Sequence, residues 1–437
     1  MSSKTKDEVI KELEEEIVRL KKRLEKVEEE YAEHKKQCAL INKGTPAFVK
    51  EEVTHKVRRK LGAPAGHKGY WRKSPERIDV ITPLRLLACP CCGGNLSGVQ
   101  ETRERIVEDI PLPLESRATK YVIERRYCAH CKRLVEAEVP DALPGARLGL
   151  SVMLLIAYLK IGMALPELKV VHLLRSAYSF IVSPAEVVCV LDQLRKAFGP
   201  HYAKIEQKIR DAQVKGSDET GWRLDGRNQW VWCVVNDEVA WYKIHRRRSY
   251  TVLTPVLGDQ HGKILVSDRL TTYTHLAEEN GCTQQMCWAH ILRDSKRLAK
   301  TYDEAKTVHR RLKSIFKKAK RLAPKGRMHD VDRLLTRIDS LGALKFEHKS
   351  IRTFRTSICK KHRGHLFHFV TTPAVPSTNN GTERAIRKAV IIRKISNGNR
   401  SEKGARILET LLSIIETIRL QGKNPLEEMH RVLTSRA

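Results

Sequence analysis

Carboxylates are scarce in this sequence. Its 437 residues carry 51 Asp plus Glu against 82 Lys plus Arg, a formal charge of +31 at neutral pH. An excess of that size turns the chain toward a polyanion, with nucleic acid first and an anionic membrane surface as the rival. Long apolar runs are also missing. The stretch from Leu148 to Leu159 is too short to span a bilayer and lacks flanking residues of the kind that bound a span. The opening MSSKTKDEVIKELEEE has no apolar segment of the secretory type. These absences set the expectation of a soluble, cytoplasmic protein with no membrane partner, nucleoid-associated when bound to DNA. In that compartment the eleven cysteines are reduced, and clustered ones are better explained by metal than by disulfides.

The length exceeds one ordinary core and calls for several domains, here a multidomain α+β chain. Ile10, Leu13, Ile17, Leu20, Leu24, Val27, Tyr31 and His34 alternate spacings of three and four, with charged residues on the flanks. That is the seam of a coiled coil over residues 7–38, and it predicts a homodimer or higher oligomer. The alternative is one amphipathic helix packed on its own chain. Residues 39–80 then read as a basic linker or arm. In HKVRRKLGAPAGHKGYWRK, Gly and Pro interrupt basic and aromatic side chains, and Lys68 and Arg72 are candidates for phosphate contact. A solvated hinge fits the same composition.

Two CxxC knuckles follow, Cys89-Pro-Cys-Cys92 and Cys128-Ala-His-Cys131, separated by a stretch that includes the β-prone run Tyr121–Arg126. Each knuckle presents two sulfurs at a spacing one tetrahedral zinc ion can bridge, which predicts a structural zinc ribbon over 81–140. Cys89, Cys92, Cys128 and Cys131 are the expected ligands, with Cys91 and His130 as alternatives. From 141 to 213 the pattern is helical. Ser183-Pro-Ala-Glu186 forms a capping box with Pro at the first helical position, and Val187, Val190, Leu191 and Leu194 share one apolar face.

At Val214 the texture changes. A short strand to Asp218, the run Gln229–Val235, a turn at Asn236–Glu238 and the run Val239–Ile244 predict a strand meander. A helix over Ser249–Leu257 leads to Lys263–Ser267, a buried strand pattern ending on Asp268. An Asp on the first strand and an Asp at the tip of the fourth make the ordering of a ribonuclease H-like α/β core. In that order the two strands lie side by side. Glu383 opens a helix after Ser377-Thr-Asn-Asn-Gly and would bring a third acid to the same point. Three carboxylates are ligands for hard cations, and two magnesium ions about 4 Å apart can bind the attacking and leaving oxygens in phosphoryl transfer. Manganese is expected to substitute. Around Glu383, Arg384, Arg387, Lys388, Arg393 and Lys394 are candidates for the DNA backbone, and positions 384, 387, 388 and 391 share a helical face. Singly, each acid also fits a structural role: Asp218 before a turn, Asp268 as a cap near Thr271, Glu383 as a first-turn acid. Glu219 is the substitute for Asp218, although neighbouring strand residues face opposite sides.

At these residues the chain resembles the transposases of the insertion sequence 66 family, within the wider DDE transposases. The likeness rests on GSDETGW around Asp218, VSDRLTTY around Asp268, CWAHILRD after it and NNGTERAIR around Glu383. It extends to the N-terminal zipper, GHKGYWR, the helical middle and the closing TLLSIIETIRLQGKNPLEEM. The resemblance implies that Asp218, Asp268 and Glu383 form the catalytic, magnesium-binding triad. It also implies action on double-stranded DNA at terminal inverted repeats, by strand cleavage and strand transfer into target DNA, and leaves open whether accessory proteins are further partners. Cys287 and His290 match a CxxH found in related transposases after the second acid, His290 there helping to orient the scissile phosphate. A core Cys and a surface His are the alternative. The expected layout opens the ribonuclease H-like core over 214–290, interrupts it with a basic helical insertion over 291–365, and completes it, together with C-terminal helices, over 366–437. IIRKISNGNRSEKGAR after the third acid departs from the more aromatic run usual in the family, which points to a changed DNA contact. Two rival functions fit the same chemistry: a DNA-binding regulator with an inactive nuclease core, and a structure-selective endonuclease.

Overall fold

The computed structural model describes residues 16–21, 23–25, 27–29, 78, 81, 116–123, 125–130, 132–136, 139 and 142–435. The chain divides into two units, Met1–Glu108 and Asp109–Ala437. In the first, residues 16–21, 23–25 and 27–29 are helical, and Ile17, Leu20, Leu24 and Val27 are exposed. Ile10, Leu13, Tyr31 and His34 of the expected zipper, Lys68 and Arg72 of the arm, and Cys89, Cys91 and Cys92 lie outside the described residues.

The second unit opens with an antiparallel hairpin of β1 (Arg125–Cys128) and β2 (Arg133–Glu136), in which Cys128 pairs with Arg133. The second CxxC thus straddles the hairpin turn, where Lys132 takes a left-handed φ of 51°. Cys131 and the side chain of Cys128 are outside the described residues.

Four helices come next: α1 (Leu150–Ala157), which runs on through a π turn at Tyr158–Gly162, α2 (Glu167–Tyr178), α3 (Pro184–Ala197) and α4 (Gly199–Asp211). The capping box of α3 forms as its sequence predicts. Ser183 Oγ accepts from the Glu186 amide at 3.1 Å, and the Glu186 carboxylate accepts from the Ser183 amide at 2.8 Å. Val187, Val190, Leu191 and Leu194 are all buried.

A five-stranded mixed sheet follows, in the order β5-β4-β3-β6-β7. Strand β3 (Val214–Leu224) turns tightly at Asp225-Gly226, both with positive φ, into antiparallel β4 (Arg227–Val235), and β5 (Ala240–His245) completes the meander. The first strand therefore runs six residues beyond the expected end at Asp218, because the hairpin continues its pairing. The expected helix over Ser249–Leu257 is a 3-10 turn at Tyr250–Val252 and the short helix α5 (Thr254–Leu257), stopped by Gly258 at φ 62°. Strand β6 (Ile264–Ser267) lies parallel to β3. After α6 (Thr271–Asn280), strand β7 (Thr283–Met286) adds a parallel edge. The sequence TQQM hides that strand, since Gln284 and Gln285 are fully buried and satisfied by hydrogen bonds.

Helices α7 (Trp288–Thr301), α8 (Ala305–Leu322), α9 (Met328–Gly342), α10 (Lys349–Thr356) and α11 (His368–Thr371) share an apolar cluster with Met286 and Val266. The other cluster joins the first four helices, the sheet, α12 (Asn380–Ser396), α13 (Glu402–Leu420) and Met429 of α14 (Pro425–Thr434). Trp222, Trp232, Trp241 and Tyr242 are among its largest buried side chains.

Edge strand β5 is covered by α13 through side chains spaced four apart. The amides of Ala240, Tyr242 and Ile244 donate to Thr417 Oγ1 at 3.1 Å, Ser413 Oγ at 3.0 Å and Glu409 Oε1 at 2.8 Å. Strand residues of period two thus meet helix residues of period four, and an edge that would otherwise present bare amides is satisfied. Replacing Ser413 by Ala orphans the buried Tyr242 amide. The expected loss is about 1–3 kcal/mol of unfolding free energy in urea titrations, against little change for Ser340→Ala on an exposed surface.

Candidate active site

Register brings the two aspartates together. Val214, Lys215 and Gly216 of β3 face Ile264, Leu265 and Val266 of parallel β6, and two residues beyond the last pair stand Asp218 and Asp268. Neighbouring strands are about 4.8 Å apart, so both carboxylates emerge at one point of the sheet. Asp268 Oδ1 accepts the Leu270 amide at 3.0 Å, which turns the chain at the strand tip. Asp218 Oδ1 accepts the Glu219 amide at 2.9 Å.

The third acid arrives because β3 carries a glycine where α12 crosses it. A Cβ at Gly216 would collide with Thr382 Oγ1 and stand 2.8 Å from Asn379 Oδ1. Asn379 fastens the junction: its side-chain amide donates to the Ser217 carbonyl at 2.9 Å and its backbone amide to Cys287 Sγ at 3.1 Å. Arg393, lower on the helix, donates to Thr220 Oγ1 at 3.2 Å and to the Gly221 carbonyl. Glu383, next to Thr382, comes close enough for its charge to act on Asp218. Sequence reasoning passed over Asn379 and Thr382. Their only signal was the Asn-Asn-Gly-Thr run before the helix.

Electrostatics report the crowding. Burial, followed by the charges of Glu219, Asp268 and Glu383, pushes the Asp218 carboxyl up to about 7. Like charges gathered in a buried site disfavour one another's ionised form. Glu219 has partners of its own. On the opposite face of β3, its buried carboxylate accepts from Arg248 at 2.7 Å and from the Tyr273 hydroxyl. It contributes repulsion to Asp218 while remaining fully engaged.

Cys287 and His290 come to the same place. Cys287 is buried at the start of α7, and His290 Nδ1 lies 3.6 Å from Glu383 Oε1. Ligand atoms of Cys287, His290 and Glu383 fall within 4.8 Å of one another. Interaction with the Cys287 side chain is the first cause that raises the His290 pKa, with the Glu383 charge adding to it against burial. Both His290 Nδ1 and Glu383 Oε1 are buried without a hydrogen-bond partner. Polar atoms in that condition are costly unless a ligand or water completes them.

Of the basic candidates, Arg384, Arg387 and Lys394 are exposed, Lys388 is half-buried and Arg393 is tied to β3 as described. Arg384 and Lys388 also line a cleft of about 1170 Å³ behind the first turn of α12, together with Lys320 of α8. The segment after the helix is held by structure. Asn397 is left-handed at φ 58°, Gly398 packs against the Arg223 carbonyl, and Asn399 accepts from Trp222 Nε1 at 3.0 Å.

Comparison with protein families gives two matches. Residues 145–407, well over half the chain, match the family described as Transposase IS66 family. Residues 87–132 match the zinc-finger binding domain of transposase IS66, and this span holds all four expected zinc ligands. No curated protein matches the chain.

The close approach at Gly216 generates a test. Gly216→Ala should lower stability by about 1–3 kcal/mol through overpacking. Adding Thr382→Ala to it should restore some of the loss in the same thermal or urea unfolding measurement. Equal stability of Gly216→Ala and the unmodified chain would mean that the helix does not rest on this glycine.

Proposed function

This chain belongs to the IS66 transposase family, and from that premise we propose that it cuts DNA at the ends of its element and joins the freed 3′ ends to target DNA. The proposed catalytic core is ribonuclease H-like. The observation that carries the reading is the convergence of Asp218, Asp268 and Glu383, with Asp218 pushed up to about 7 by burial and by acidic neighbours. Asp218, Asp268 and Glu383 would hold two magnesium ions or manganese in their place. The donor set suits such hard ions, all of it carboxylate oxygen, with Glu383 Oε1 buried and unpartnered. When bound, the ions supply charge stabilisation for the attacking and leaving oxygens of an in-line displacement.

The chain's own groups do the rest. Glu383 is held by the helix that Asn379 and Thr382 lock to β3, so its carboxylate needs little reorganisation. His290, made more basic by Cys287 and Glu383, stands beside the acids to orient a phosphate. Exposed Arg384 and Arg387 point to solvent on the same helix and would contact the DNA backbone, as would Lys388, Lys394, and Lys68 and Arg72 of the arm. Arg393 acts through β3 and positions the helix.

Outside the core, Cys89, Cys92, Cys128 and Cys131 would hold a structural zinc ion, since four thiolates in two CxxC knuckles make a closed tetrahedral site. Residues 7–38 would pair as a coiled coil, giving at least a dimer that can hold two element ends. No described helix is long and apolar enough to cross a membrane.

With magnesium, labelled end-repeat duplex and a plasmid target, the unmodified protein should cut and join. Asp268→Asn should retain end binding but lose cleavage by more than the about 10–100-fold typical of changes behind a metal ligand. Cleavage without joining would favour a structure-selective endonuclease, and binding without cleavage in either metal a DNA-binding regulator. Undiminished cleavage by Asp268→Asn would remove Asp268 from the site. For the zinc reading, Cys128→Ser should lower the zinc content of the purified full chain measured by elemental analysis. An unchanged content would exclude Cys128 as a ligand.

A further inference from the structure

The helices between β7 and α12 carry a charge distribution that the acid site does not use. Helix α8 reads AKTVHRRLKSIFKKAKRL and contains no acidic residue. Its apolar side is buried: Ala305, Val308, Leu312, Ile315 and Ala319 all face the second apolar cluster. At 100° per residue, Arg310, Lys313, Lys317, Lys320 and Arg321 fall on the opposite side within one sector of about 100°. All five are exposed.

These cations lack the neutralisation usual on a solvated helix. Elsewhere, exposed bases take acidic partners: Lys208 with Glu238 at 3.0 Å, Arg363 with Asp339 at 2.7 Å, and Arg431 with Glu428 at 2.6 Å. Among the described residues, none of Arg310, Lys313, Lys317, Lys320 and Arg321 makes an ion pair, and Lys320 rests on the Phe316 ring at 5.9 Å. Like charges at i, i+3 and i+4 repel, so the row costs helix stability with no ion pair among the described residues to offset it. A partner of opposite charge would.

Lys320 reaches the cleft that Arg384 and Lys388 of α12 line, and Glu383 stands next to Arg384 in the chain. The same cleft holds Asp211, Asp237, Glu238 and Glu416 beside Lys208 and Lys215, so between α8 and α12 its wall is of mixed charge, and the unneutralised row is that of α8 itself. From Arg310 to Lys320 the helix advances about 15 Å. Duplex DNA places one phosphate charge per about 1.7 Å of its axis, so that length can face about nine phosphates.

We propose that the outer face of α8 is a sequence-independent docking surface for the phosphate backbone of double-stranded DNA. It rests on the transposase reading and adds to it a binding surface outside the catalytic core. Lys and Arg in a straight row suit phosphate contacts, which position a backbone without specifying sequence.

The test uses the full chain with Arg310, Lys313, Lys317 and Arg321 all changed to Gln, and a control with Lys169, Arg175, Lys204 and Arg227 changed to Gln, which removes the same charge from other exposed sites. Binding of a labelled random-sequence duplex is followed over a range of salt concentrations. The α8 variant should show a logarithmic salt dependence flatter by about 3 to 4, one step for each lost phosphate contact. The control should keep the slope of the unmodified protein. If the α8 variant and the control bind alike at every salt concentration, α8 is not the docking surface. End cleavage by the same proteins separates the two proposals: unmodified protein that cuts while the α8 variant matches the control overturns this inference alone. Failure of the unmodified protein to bind any duplex overturns both.

Discussion

The contact between Gly216 and the first turn of α12 is the constraint on which the acid cluster depends. A helix packed on a sheet normally stands off by the thickness of its side chains, about 10 Å between layers. At Gly216 a side chain is missing, and Thr382 and Asn379 occupy its place. The approach lets Asn379 reach the Ser217 carbonyl and the Cys287 sulfur together, so one residue ties β3, α7 and α12. Glu383, His290 and Asp218 each sit on one of those three elements. A shift at the junction would move all three relative to one another, which makes the geometry of the site a property of backbone packing more than of the acids themselves.

That packing is held from the other end of the sheet as well. Tyr242 donates its hydroxyl to the Ala385 carbonyl at 2.9 Å, while its own amide is satisfied by Ser413 of α13. The side chain thus crosses from β5 to α12 and is buried throughout. Arg393 adds a guanidinium link further along α12. The helix that presents Glu383 is accordingly braced at its first turn, its second turn and its last third. Such bracing is what a repulsive cluster requires. Asp218 raised to about 7 means that its charged form is unfavourable where it stands, and a loosely held helix would relieve the strain by moving Glu383 away.

How much of this could be read beforehand follows the physics of each element. The meander was legible because Gln229–Val235 and Val239–Ile244 are rich in β-branched and aromatic residues, and the place of Asp268 at a strand tip because Lys263–Ser267 reads as a buried strand. Strand β7 was not, since its buried glutamines look like a loop until Ser267, Leu366 and Phe369 are seen to satisfy them. The end of β3 was misjudged at Asp218 because Gly221 suggests a turn, whereas the turn is made by Asp225-Gly226 beyond it. Gly216 carried no signal at all. A glycine needed for close approach looks like any other until its neighbour is known. Glu219 was rightly kept apart from Asp218 by strand alternation, but its partners, Arg248 and Tyr273, come from elements that no spacing connects to it.

The sign of the charge decides which face can do what. Acids lie together just beyond the parallel pairing of β3 and β6, where burial and neighbouring charges raise the Asp218 carboxyl. Bases are pushed outward along α12 and α8, where exposure leaves them hydrated and open to anions. A polyanion laid across this surface would meet long-range attraction first and the acids last. Its backbone would have to come close to a cluster of like sign, an approach that is unfavourable unless cations lie between the carboxylates and the phosphate. The scarcity of carboxylates in the whole sequence gives this local concentration its meaning. In a chain with so large a basic excess, acids placed together in a partly buried site oppose both folding and the approach of a polyanion, and a cation held there, as proposed, would offset both.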